Sequence, residues 1–187
     1  LIKEVSFGND GSISQDRLED CINSDLANNY GNLCQRVTAF AEKNCFSKIP
    51  PKSNFNKDDL TILNKFKDNI STLRKAVDNQ DINFYVNFTV NALFDTNKYF
   101  NDQEPWKKKD DPERLNTIVY VGLEMIRKIS FMLYPIMPNS IIKALGAFNL
   151  KVNDIIFESI SSHDLLKIGD NIKKIDILFK KIDKKND

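Results

Sequence analysis

Histidine and tryptophan each occur once in this chain, as His163 and Trp106. Cysteine occurs three times, as Cys21, Cys34 and Cys45, without a CxxC pair. One histidine is too few for most metal sites and acid–base mechanisms. An odd, scattered cysteine set argues against a disulfide framework or a zinc knuckle, and for reduced thiols in a cytoplasmic protein. No apolar run approaches the ~20 residues that a membrane span needs, and no signal-peptide pattern opens the chain. The stretch 7–14, "FGNDGSIS", is rich in glycine, but it lacks the GK[ST] ending and preceding strand of a phosphate loop. Charge of either sign is not in excess: the net value is +1, so any polyanion site must be a local patch. No catalytic, cofactor-binding or metal-ligating residue is assigned on these grounds.

What is present is the material of one helical domain. The chain has 187 residues, 41% hydrophobic and 28% charged, enough for a real core. Asparagine, lysine and isoleucine are over-used, which reads as drift in an AT-rich genome. The first residue is Leu1, so the chain is expected to be a piece of something longer.

Leu18, Ile22, Leu26, Tyr30, Leu33, Val37 and Phe40 recur at gaps of three and four, predicting a helix over 15–44 with Ser14 as a candidate cap. A second stripe runs Leu60, Leu63, Phe66, Ile70, Leu73 and Val77 after the cap Asn56. Residues 82–100 are more apolar and aromatic, and predict a central buried helix ending at Pro105. Asp111-Pro112 opens a fourth helix, and Pro135 and Pro138 close it. A short helix over 139–147 follows. Pro50-Pro51 marks a loop. In the tail, "DILFKKID" is left open between a strand and a last turn, and His163 reads as a surface residue at a helix start. The fold class is all-α, an antiparallel bundle of about five helices. Residues 1–14 form a lead-in, 15–150 the bundle, and 151–187 a tail packing on it.

Function is sought on the polar faces. At 100° per residue, Asp25, Asn28, Asn29, Gln35, Arg36 and Lys43 all fall within roughly 60° of Asn32. This face has the donor and acceptor forks that read base edges. The plain alternative is a solvated face in an asparagine-biased chain. Trp106 stands between Pro105 and Lys107-Lys108-Lys109. A lone tryptophan is usually a core anchor, but neither flank suits burial. A half-exposed indole beside cations can stack an unpaired base while lysines hold phosphates.

The stretch 5–36, "VSFGNDGSISQDRLEDCINSDLANNYGNLCQR", followed by "NKYFNDQEPWK" at 97–107, resembles the C-terminal half of bacterial methionyl-tRNA synthetases. The shared elements are F-G-x-D-G-x-x-S, then N-L-x-x-R at Asn32–Arg36, then N-x-Y-x-x-x-x-x-P-W at Asn97–Trp106, with "YPIMPNSIIKAL" similar to the closing helices. The resemblance implies a class I synthetase anticodon-binding bundle. It implies that Asn32 and Arg36 contact anticodon bases and that Trp106 stacks on the wobble cytosine of CAU. The implied partners are initiator and elongator tRNA for methionine and the catalytic half of the same enzyme, with no membrane. The implied parent is an ATP- and magnesium-dependent ligase. Its HIGH-like and KMSKS-like signatures are missing here, so this chain is expected to be inactive by itself. Two rivals remain open: the anticodon domain of a related class I synthetase, and a helical protein-interaction module that binds no RNA.

Overall fold

The computed structural model describes residues 2–5, 11–12 and 14–183. Most of the glycine-rich stretch at 7–14 therefore lies outside the described residues. Helix α1 (Gln15–Cys21) passes through a π-helical segment (Ile22–Gly31) into α2 (Asn32–Asn44). Then come α3 (Lys57–Asp78), α4 (Ile82–Gln103), α5 (Pro112–Leu133) and α6 (Pro138–Gly146). With 15–44 taken as one interrupted helix, the described residues form five helices and no named strand. None is long and apolar enough to cross a membrane.

The caps follow local chemistry. Ser14 accepts from the Arg17 N–H, and Asp111 accepts from the Arg114 N–H with Pro112 at the first helical position. Asn56 and Asp59 form a reciprocal capping box at the start of α3. Helix α4 ends at Gln103, two residues before the expected Pro105, and Glu104 between them turns left-handed with φ 45°.

Helix α5 is the axis of the bundle. It packs on α2, α3, α4 and α6, and every residue from Thr117 to Leu133 is buried. Only one stripe of it reads as apolar, yet Glu124, Arg127 and Lys128 are fully enclosed as well. The tail explains this. After 3-10 turns at Val152–Asp154 and Phe157–Ser161 it crosses the polar side of α5 in irregular conformation, seating Ile160, Leu166, Ile172 and Ile175 in the core. Arg127 holds Glu124 and donates to the Ser159 carbonyl at 3.1 Å. Lys128 donates to the Leu63 carbonyl at 3.0 Å and meets His163 Nδ1 at 2.8 Å. Burial draws the Lys128 ammonium down to about 7, only partly offset by Glu124. His163 is thus no surface helix start. It is half-buried in a non-helical segment, its other ring nitrogen 2.8 Å from Asn64 Oδ1. The stretch 176–183 is neither strand nor helix.

A second buried charge ties three helices together beneath the Trp106 end. Asp59 of α3 is fully enclosed and takes two bonds from Arg114 of α5, at 2.6 and 3.0 Å, plus the Tyr99 hydroxyl of α4. Burial alone would raise the Asp59 carboxyl, but bonds from Arg114, Tyr99 and the Asn56 N–H outweigh it and hold it below its usual value. Losing one partner of such a pair leaves the other uncompensated, so Asp59→Ala should cost about 3–5 kcal/mol at neutral pH in urea unfolding. The depressed carboxyl contributes stability above its unfolded pKa, lost as pH falls through the folded value. The variant should therefore lose less stability than the wild type on acidification below pH ~4. Equal acid sensitivity of the two proteins would contradict this.

Candidate nucleic-acid interface

The π segment changes the expected amide face. Its i→i+5 turns advance by a smaller angle per residue than an α-helix, so side chains before Asn32 drift out of phase. Asp25 and Asn29, placed on the outer face by a 100° advance, are buried instead. Asp25 pairs with Lys3 at 2.6 Å, and Asn29 accepts from Asn97 of α4. Asn28, Asn32 and Lys43 stay exposed, and Gln35 and Arg36 are half-buried. The outward face is therefore sparser than the periodicity suggests, having lost Asp25 and Asn29 to the interior.

Arg36, one turn further on, does not simply face water. Its guanidinium carbon stands 5.2 Å from the centroid of the Phe100 ring, and its Nη1 donates to Asn101 Oδ1 at 2.9 Å. Its Nε and Nη2 are shielded from solvent and find no hydrogen-bond partner among the described residues. Burial alone pushes the Arg36 pKa below its ordinary value. One nitrogen of this guanidinium is tied and two are enclosed without a partner, and leaving buried donors unmet costs folding energy.

Phe100 connects Arg36 to Trp106. The indole sits on the 3-10 turn Pro105–Lys107, which Pro105 anchors by burial. Its ring meets Phe100 edge-on, centroids 6.4 Å apart, and Phe40 of α2 meets the same phenyl ring at 6.0 Å. Trp106 remains 41% exposed, so it is not a buried core anchor. The lysines after it differ among themselves: Lys107 pairs with Glu104 at 2.8 Å, whereas Lys109 is exposed and lines a neighbouring groove. The structure thus brings together Arg36 and Trp106, with Asn32 one turn from Arg36. Sequence reasoning missed Phe100 and Asn101, which sit in the apolar α4 pattern and its last polar turn.

Comparison with known proteins shows the family of the chain. Residues 49–187 match the family model described as the anticodon binding domain of methionyl tRNA ligase. The methionine–tRNA ligase of Brucella suis is 38% identical over 146 residues, covering 78% of this chain and 28% of that protein. That of Thermotoga maritima is 32% identical over 188 residues, covering 100% of this chain and 30% of that protein. The crystal structure of apo methionyl-tRNA synthetase from Mycobacterium tuberculosis aligns with a TM-score of 0.90 at 29% identity, covering 98% of this chain and 38% of that one. The chain is therefore of the anticodon-binding helical-bundle class. It belongs to the family of anticodon binding domains of methionyl tRNA ligase. It spans about a third of the length of the curated relatives it matches.

The unmet donors of Arg36 give a stability test. Arg36→Met keeps an unbranched stem over Phe100, removes the two unmet nitrogens and gives up the Nη1 bond to Asn101, so it should leave the unfolding free energy within about 1 kcal/mol of the wild type. A loss of more than ~2 kcal/mol in urea unfolding would show the guanidinium to be a structural tie instead.

Proposed function

We propose that this chain recognises the CAU anticodon of tRNA for methionine, initiator and elongator alike. The observation that carries the reading is the Phe100 ring, which the Arg36 guanidinium lies over and the half-exposed indole of Trp106 meets edge-on. In this reading the wobble cytosine stacks on the indole, and Asn32 and Arg36 donate to base edges. The parent protein is a cytoplasmic methionine–tRNA ligase. Its ATP and magnesium chemistry belongs to the catalytic half, and no step of it is assigned to residues of this chain. The domain contributes position: gripping the anticodon fixes where the distant acceptor end meets the active site.

Trp106→Ala should weaken binding of a CAU anticodon stem-loop by about 1–3 kcal/mol while the helical content is kept. Arg36→Ala and Asn32→Ala should each cost a similar ~1–3 kcal/mol and relax discrimination against other anticodons. Alanine in the 107–109 run should weaken all tRNAs alike and lower the salt slope by about one. Titrations of wild type and variants against CAU and altered stem-loops check this. Unchanged CAU preference in Arg36→Ala would refute the assignment.

The second expectation concerns chemistry. Adenylate formation needs groups that neutralise a triphosphate as charge develops. The one histidine is instead tied to Lys128 and Asn64 inside the tail contact. The purified 187-residue chain should show no methionine-dependent ATP–pyrophosphate exchange, and measurable exchange in a preparation free of host synthetase would contradict it.

A further inference from the structure

The loop that ends α2 departs from what its residues prefer. Phe46 and Ser47 both have φ 55°, two consecutive left-handed residues without a glycine. The Lys48 N–H closes the turn onto the Cys45 carbonyl at 3.0 Å. Two positive φ values in a row are the signature of a type I′ turn, where Asn-Gly is the natural pair and a bulky side chain is strained. The tail enforces the conformation: the Ile172 N–H donates to the Ser47 carbonyl at 2.8 Å, and the Ile49 N–H to the Asp170 carbonyl at 2.9 Å. The outcome is a phenylalanine ring held 90% exposed on a rigid turn, the most exposed large apolar side chain among the described residues. The turn itself serves the fold by pairing with the tail, but that pairing uses backbone groups and does not require a large exposed ring at position 46; a strained conformation over-determined by its surroundings points to a functional position.

The ring borders a groove of about 550 Å³. Pro50 adds an apolar wall, Asn44 and Asn116 add amides, and Lys48 and Lys109 are its lysines. None of the residues lining it is acidic. The groove is built from the same two chain segments as the candidate interface, the end of α2 and the connection after Trp106. Lys109 follows Trp106 in the same connection, and Phe46 stands on the turn just past the end of α2, which runs about 12 Å from Arg36 to Asn44. A flat ring, amide forks and cations without carboxylates match one chemical class: an unstacked nucleotide, its base on the ring and its phosphate near the lysines.

We propose that the groove beside Phe46 is a second nucleotide-binding site, taking an unpaired nucleotide of the same anticodon loop that the proposed function places on Trp106. The inference rests on that reading and adds to it a platform on a different element. Phe46 acts by stacking, Lys109 by phosphate attraction, and the left-handed turn keeps the ring from collapsing onto the protein.

The test uses Phe46→Asn in the 187-residue chain. Asparagine accepts the left-handed conformation, so the variant should unfold at the same or a higher urea concentration than the wild type. Its affinity for a CAU anticodon stem-loop should nevertheless fall about tenfold. Phe46→Trp should restore affinity, and Lys109→Ala should weaken binding and lower the salt slope. Trp106→Ala runs alongside. If it weakens binding while Phe46→Asn does not, the second site is overturned and the proposed function stands. If neither variant changes binding, both fall. If Phe46→Asn leaves RNA affinity unchanged but abolishes self-association of the concentrated protein, the ring is a protein contact and the inference is wrong.

Discussion

The phenyl ring of Phe100 is the contact on which the candidate interface depends. Its inner side rests where α5 has Gly122, and a Cβ there would come within 3.3 Å of the ring and 3.2 Å of Val37. The missing side chain lets α2, α4 and α5 approach closely enough to seat the ring fully buried. Its outer surroundings then serve three residues: Phe40 packs on it from α2, the Arg36 guanidinium lies over it, and Trp106 meets it edge-on. Arg36 and Trp106 come from segments far apart in the chain and are placed through one shared ring. A site supported this way is set by the core, so its geometry persists as long as the bundle does.

Enclosure of α5 imposes the second constraint. A helix buried on all sides must satisfy every polar group it carries. Glu124 and Arg127 satisfy most of theirs with each other, and Lys128 with a carbonyl of α3 and the tail histidine. The tail is therefore structural: by crossing the polar side of α5 it shields these charges, and by pairing with Ser47 and Ile49 it fixes the end of α2. Both ends of the α2 face are thus governed from elsewhere, at Arg36 by Phe100 and at Phe46 by residues 170–172.

Much of the fold was legible because it rests on local rules. The caps Ser14, Asn56 and Asp111, the helix starts after them and the stops before proline follow from side chains that bond nearby N–H groups. The π segment was not legible, since one extra residue per turn leaves no mark in a pattern of threes and fours, and it moved Asp25 and Asn29 from the outer face into the interior. The burial of the polar side of α5 was not legible for another reason: Glu124, Arg127 and Lys128 lie off the apolar stripe, and the irregular tail covers them. Of the candidate site, Asn32, Arg36 and Trp106 could be named from motif and spacing. Their support could not, because Phe100 in an apolar helix looks like any core residue and Gly122 like an accident. Phe46 looked like loop, and its meaning lies in a backbone angle that sequence does not display.

The central claim is that one indole and one guanidinium, joined through Phe100, form an anticodon-reading surface. The chain's single tryptophan makes this directly observable through one indole N–H resonance in a proton–nitrogen correlation spectrum. Titration with a CAU anticodon stem-loop should shift that resonance together with the Asn101 side-chain amide, and a stem-loop differing only at the wobble base should shift both far less at equal occupancy. If the CAU stem-loop bound while the indole and the Asn101 amide stayed where they are in the free protein, the surface would be elsewhere and the account would be contradicted.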